Sequence, residues 1–200
     1  MAVVLVRHGE TEWSRAGRHT GRTDVPLTEH GRAQAEAVGG ALRGRELGLV
    51  LTSPLGRALE TCRLAGFGDR AELRDGLMEW DYGAYEGRTT TEIREERPGW
   101  TLWGDGVLEG ETVEQVGARV DRVLDEVRSL EGDALLFAHG HVLRVLTARW
   151  LGLDPDAGRL FALDPATLST LGHERETAVI QLWNEAVLPR PAGSDPAPKA

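Results

Sequence analysis

Residues 1–13 read MAVVLVRHGETEW: four consecutive apolar residues, Val3 to Val6, run straight into a cation, an imidazole and a glycine. An unbroken apolar run of this length suits a strand inside a parallel sheet covered on both faces. Two later stretches finish in a similar way. Val50–Arg57 reads VLTSPLGR and Leu135–His141 reads LLFAHGH. If the three strands run parallel, their carboxyl ends deliver Arg7, His8, Arg57 and His139 to one edge of the sheet, where α/β proteins carry their functional crevice.

The intervening pattern supports that reading. Thr28 is placed to cap a helix running to about Arg43, with Ala33, Ala37, Val38 and Ala41 as its inner stripe. A helix carrying Arg57, Leu59, Cys62 and Leu64 follows the second strand, residues 71–87 read as irregular and rich in aromatics, and Thr89 to Glu92 opens a helix that stops before Pro98. Residues 99–110 read as a surface excursion. From Thr112 to Leu130 apolar residues recur at helical spacing, and a helix from about Val142 to Trp150 follows the third strand. Strands near 167–172 and 178–183 are expected to form a hairpin. Alternating strands and helices predict an α/β fold with a mostly parallel central sheet between helical layers. Residues 1–185 are expected to form the domain, and 186–200, rich in Pro and Ala, a disordered tail.

Two hundred residues can bury about 70% of their unfolded surface. The single cysteine, Cys62, precludes an internal disulfide, and with no leader-like or membrane-length apolar run the expectation is a soluble cytoplasmic protein without a membrane partner. The net charge of −9, with every basic residue except Lys199 an arginine and no Lys/Arg stripe, argues against nucleic acid. Two guanidiniums and two imidazoles around one point suit a phosphoryl dianion: a fixed cation at ~4 Å contributes about 4 kcal/mol at an effective dielectric of 20, before desolvation. His139 and His141 form an H-x-H pair, but no third and fourth ligand stands at a recognisable spacing, so neither a metal site nor a cofactor is expected.

LVRHGETEW, GRTDVPLTEHGRAQA, TSPLGRALETC, EWDYGAYEG, GETVEQV and FAHGHVLR, in this order over roughly residues 3–150, resemble the successive signatures of the histidine phosphatase superfamily, which also contains cofactor-dependent phosphoglycerate mutases. The resemblance implies a phosphoglycerate mutase-like three-layer α/β/α fold. It implies that His8 is the nucleophile and that Arg7, Arg57 and His139 hold the equatorial oxygens. Glu79 matches the family's proton donor; Asp81, which shares a face with it on an extended chain, is the rival carboxylate. Gly9, Thr20, Gly21 and Gly140 match positions where backbone or hydroxyl donors approach phosphate. Ser14 stands where the family commonly has asparagine, and Tyr82 matches a substrate-contacting position. Arg144 either reaches a second polar group on the substrate or lies on a solvated face. Trp100 and Trp103 either wall the pocket or pack as a satellite core, while His19, His30 and His173 read as surface or packing residues.

Within the family, mutases carry a longer insertion after the glutamate with consecutive basic residues; between Glu79 and Glu111 this chain has only the isolated Arg88, Arg94 and Arg97. The segment resembles actinobacterial acid phosphatases and fungal sedoheptulose bisphosphatases. The expectation is a metal-independent phosphatase acting on a small phosphorylated metabolite, a sugar phosphate among the candidates. A mutase and a non-catalytic phospho-ligand binding relative are the alternatives, and a homodimer is a further expectation, since dimers are common.

Overall fold

A computed structural model describes residues 1–129 and 131–187. In chain order the elements are β1 (Val3–Arg7), the one-turn α1 (Glu12–Arg15), α2 (Glu29–Ala41), β2 (Leu49–Thr52), α3 (Gly56–Leu64), β3 (Ala71–Leu73), α4 (Thr90–Glu96), α5 (Leu102–Asp105), α6 (Val113–Arg128), β4 (Ala134–Ala138), α7 (Gly140–Trp150), β5 (Thr167–Glu174) and β6 (Thr177–Ala186). The sheet order is β3-β2-β4-β1-β5-β6. The first four strands in that order are parallel, and β5 and β6 form an antiparallel hairpin laid against β1.

Because side chains alternate across a strand, the apolar run of β1 feeds two cores. Val3 and Leu5 pack with Val120 and Leu124 of α6 and Val142 and Leu146 of α7. Val4 and Val6 pack on the other face with Val38 of α2 and Cys62 of α3. The result is the expected α/β/α sandwich. Parallel register sets Arg7 beside Ala138 and Thr52 beside Phe137, so β1, β4 and β2 end at one level.

The expected caps are present: Thr28 accepts from the Gly31 N–H, and Thr89 with Glu92 forms a reciprocal capping box. The inner stripe of α2 differs from expectation. Gly31, Ala35, Val38 and Leu42 face the core, whereas Ala41 is exposed. Small side chains define a helical face weakly, and the close seat of Gly31 sets the rotation. Residues 71–87 are not wholly irregular, since β3 adds an edge strand beside β2. The excursion at 99–110 contains α5 and buries Trp100 and Leu102. Helix α7 begins at Gly140, two residues before the expected start.

β6 ends one residue past the expected domain boundary, and the expected tail lies, from residue 188 onward, outside the described residues. Among the described residues no helix is long and apolar enough to cross a membrane.

The start of α2 packs on the turn after β1 so closely that a Cβ on Gly31 would stand 2.2 Å from the Glu10 carbonyl oxygen. Gly31→Ala is therefore expected to lower stability by about 1–3 kcal/mol, read as a reduced urea midpoint. An unchanged midpoint would show that this turn yields freely.

Candidate active site

The carboxyl ends of β1, β4 and β2 assemble the centre of the site. The His8 N–H donates to the Ala138 carbonyl (3.0 Å), and the His8 and His139 rings lie 5.2 Å apart. Nδ1 of His8 is 2.7 Å from the Gly9 carbonyl oxygen; a carbonyl only accepts, so Nδ1 carries the hydrogen and the lone pair is on Nε2. Burial pushes the His8 imidazole well below its ordinary titration range, and the Arg57 and Arg7 cations push the same way. The ring is neutral at pH 7.

Arg57, in the first turn of α3, is fully buried, and its fork donates to the Thr23, Thr20 and Gly21 carbonyls at 2.9, 3.0 and 2.8 Å. Arg7 donates through Nη1 to the Leu163 carbonyl. His139 is held through Nε2, 2.8 Å from the Ser53 hydroxyl, which itself accepts from the Leu55 N–H. Three buried nitrogens of this group, Arg7 Nε, Arg57 Nε and His139 Nδ1, have no hydrogen-bond partner among the described residues. Leaving such groups open inside a protein costs roughly 1–3 kcal/mol each, so they mark a place built for an acceptor-rich guest.

The buried Glu79 carboxylate accepts three backbone hydrogen bonds. Oε1 takes the Trp80 and Val142 N–H groups (3.0 and 2.9 Å), and Oε2 takes that of His141 (3.0 Å). Two of these donors are the opening amides of α7, where a helix favours negative charge. Asp81, the rival, instead accepts from the Gly83 N–H through Oδ1 and faces Arg22 across 3.8 Å.

Arg7, His8, Glu79, Tyr82, Gly140 and Arg144 line one cavity of ≈ 260 Å³, with Ser14 and Thr20 on its wall. Arg144 is not on a solvated face: its guanidinium lies 4.8 Å over Trp103 and donates to the Gly158 carbonyl. Trp103 thus backs the wall, while Trp100 packs on Tyr85 within the main core and stands edge-on to His19. The Ser14 hydroxyl is engaged by Thr11 in the capping box of α1, and that of Thr20 donates to the Arg18 carbonyl. Gly9 and Gly21 depart from the expected backbone contacts. The Gly9 N–H donates to Thr61, and the Gly21 N–H to the Glu86 carboxylate. Their carbonyls work instead, holding His8 and Arg57.

The cavity wall also includes residues that sequence reasoning does not assign to it, Arg18, Thr90 and Leu163 and two histidines among them. His141 lines the cavity with Nδ1 2.6 Å from the Tyr82 hydroxyl, and His19 lines it 4.9 Å from the Tyr82 ring. Burial, then the Arg144 charge, drives His141 well down; burial takes His19 to about 4. The H-x-H spacing signalled His141, but as half of a metal pair. Nothing local signalled His19, which reaches the site only through the turn closed by the Arg18–Thr89 bridge. Among the described residues, no cluster of three His, Cys, Asp or Glu side chains is placed to hold a metal ion.

A neutral imidazole flanked by guanidiniums and facing a carboxylate suits an α/β enzyme of phosphoryl chemistry. Residues 3–186 match the histidine phosphatase superfamily (branch 1). The chain is 43% identical over 189 residues to an acid phosphatase of Mycobacterium tuberculosis, covering 90% of this chain and 92% of that one. It is 39% identical over 183 residues to sedoheptulose 1,7-bisphosphatase of Saccharomyces cerevisiae, covering 75% and 67%. The structure of the open reading frame Rv3214 of M. tuberculosis superposes with a TM-score of 0.89 at 39% identity, over 94% of this chain and 98% of the other. The chain belongs to the histidine phosphatase superfamily and is a phosphoric monoester hydrolase.

The buried histidines also set a pH dependence of stability. His8, His139, His141 and His19 all titrate below the ordinary 6.5 in the folded chain, so the unfolded chain binds more protons beneath that value. Their contribution is complete above 6.5 and is lost as pH falls through the lower folded values. Urea unfolding is expected to give a falling free energy between about pH 7 and pH 5; a flat profile would mean that the four rings carry protons in the folded state.

Proposed function

We propose that this protein hydrolyses phosphoric monoesters of small metabolites, sugar phosphates among them, through a covalent phosphohistidine on His8, with Glu79 moving the proton. The observation that carries the reading is the set of three unpartnered buried nitrogens beside a neutral His8 whose lone pair is on Nε2. Equatorial phosphoryl oxygens would satisfy all three. The yeast relative, by its name a sugar bisphosphatase, favours a sugar phosphate as substrate.

In the first half-reaction the Nε2 lone pair attacks phosphorus while the bond to the leaving oxygen breaks and its electron pair stays on that oxygen. Arg7 and Arg57 supply fixed positive charge, and the neutral His139 a further N–H donor, to the phosphoryl oxygens, in a place where little water competes. The leaving oxygen takes a proton from Glu79. An ionised carboxylate offers about four acceptor positions; two on Oε1 and one on Oε2 are filled by backbone N–H groups, which leaves Oε2 as the oxygen that carries the proton. In the second half-reaction Glu79 takes a proton from water, the water oxygen attacks phosphorus, and the electron pair of the N–P bond returns to Nε2. Inorganic phosphate leaves, and Nδ1–H stays on the Gly9 carbonyl throughout.

Hydrolysis rather than transfer back to an alcohol is favoured by the segment from Glu79 to Glu111, which has no adjacent pair of basic residues to hold a second anionic group. Efficient movement of phosphate between the two hydroxyls of phosphoglycerate would overturn this choice.

With p-nitrophenyl phosphate, His8→Ala is expected to lose activity on the order of 10³-fold or more, and wild-type enzyme quenched during turnover should hold an acid-labile phosphoryl group on His8. EDTA is expected to leave the rate unchanged. Turnover in His8→Ala equal to wild type, or its loss in EDTA, would sink the mechanism. Because the free His8 ring titrates well below 6.5, the acid limb of kcat/KM is expected below that pH. A limb at or above 6.5 would assign the nucleophile elsewhere.

A further inference from the structure

The signature GETVEQV, residues 110–116, has no part in the chemistry above, yet the structure ties it to the proton-transfer residue. Helix α6 presents a charged side chain, Arg119, on its otherwise apolar face among Val116, Val120 and Val123, with only 7% of its surface exposed. A guanidinium has five N–H donors, and here all five are used. Nη1 donates to the Gly76 and Met78 carbonyls (2.8 and 2.6 Å). Nη2 donates to the Glu79 carbonyl and Glu111 Oε2 (both 3.1 Å), and Nε to Glu111 Oε1 (2.9 Å).

Glu111 completes the grip from the other side. Its Oε2 accepts from the Asp81 N–H (3.0 Å), its own N–H donates to the Asp81 carbonyl (3.0 Å), and its carbonyl accepts from the Trp80 indole (2.8 Å). Arg22 is the other charge at this cluster, 3.5 Å from Glu111 and 3.8 Å from Asp81. The backbone from Gly76 to Asp81 is thus fixed at four residues by one ion pair, its arginine buried and its glutamate half-buried. Neither Arg119 nor Glu111 lines the cavity.

We propose that Arg119, paired with Glu111, is the positioning residue for the Glu79 carboxylate. The backbone of Glu79 is clamped to α6 while its side chain is anchored on the opening amides of α7. The carboxylate is therefore suspended between two helices, with Oε2 at a set distance from the leaving oxygen. This rests on Glu79 acting as the proton donor. A misplacement of about 1 Å can cost 10²-fold in rate, so loosening one anchor should impair proton transfer far more than phosphate binding.

The test is the ratio of kcat/KM for phenyl phosphate, whose leaving group needs a proton, to that for 2,4-dinitrophenyl phosphate, whose leaving group does not. The ratio is independent of how much of a variant is folded. In Arg119→Met the phenyl ester is expected to lose about 10- to 100-fold while the dinitrophenyl ester changes only a few-fold, with Arg119→Lys recovering part of the loss. Glu111→Gln is expected to shift the ratio in the same direction, and Arg119→Lys and Glu111→Gln decide if Arg119→Met does not fold. Equal losses on both esters would make the pair merely structural and overturn the proposal, as would an unchanged ratio in every variant. Glu79→Gln separates the two readings. If it shifts the ratio and the Arg119 and Glu111 variants do not, only the positioning role falls; if it leaves the ratio unchanged, Glu79 is not the donor and both fall.

Discussion

Positive charge held away from water at the carboxyl ends of adjacent parallel strands is the constraint around which this protein is built. A buried guanidinium is tolerated only where its donors are satisfied. Arg57 meets the requirement by gathering three carbonyls of the Thr20–Thr23 turn, and so fixes the loop between α1 and α2 onto the first turn of α3. Arg7 meets it partly, through Leu163 on the segment leading to β5. What these contacts leave open is Nε on each side chain, beside the neutral His8. The same desolvation that makes the cations costly keeps the imidazole unprotonated.

The carboxylate side of the site follows a similar economy. Helix α7 starts at the end of β4 with no side-chain cap from its own N-cap residue, His139. Glu79, from a distant loop, supplies the missing acceptor. One interaction thereby satisfies the helix terminus, closes the loop over the sheet edge and sets a carboxylate at the cavity wall. His139 is free to turn toward Ser53 and His8 because it is released from capping.

Much of this was legible along the chain. The all-apolar β1, the capped α2 and α4, the periodic α6, and the three strand ends carrying Arg7, His8, Arg57 and His139 follow from period and punctuation, which are local. The choice between Glu79 and Asp81 was not local: on an extended strand the two are equivalent, the resemblance favoured Glu79, and in the fold it is the approach of α7 that sets the two apart. The same holds for Gly9 and Gly21, whose donors and carbonyls exchange roles once Thr61 and Glu86 arrive from other elements. Arg119 stood three residues after Val116 and four before Val123, on the apolar stripe of α6, but in an arginine-rich chain one more arginine gives little signal.

The amino-acid sequence by itself determined the layers, a mostly parallel sheet and the residue types at its strand ends, because hydrophobic period and turn chemistry act over a few neighbours. Tertiary structure alone decided which polar atoms are filled and which stay open, which carboxylate faces the cavity, and that His19 and His141 belong to its wall. Those outcomes depend on partners dozens of residues away, whose desolvation and hydrogen-bond balance exist only after the elements pack.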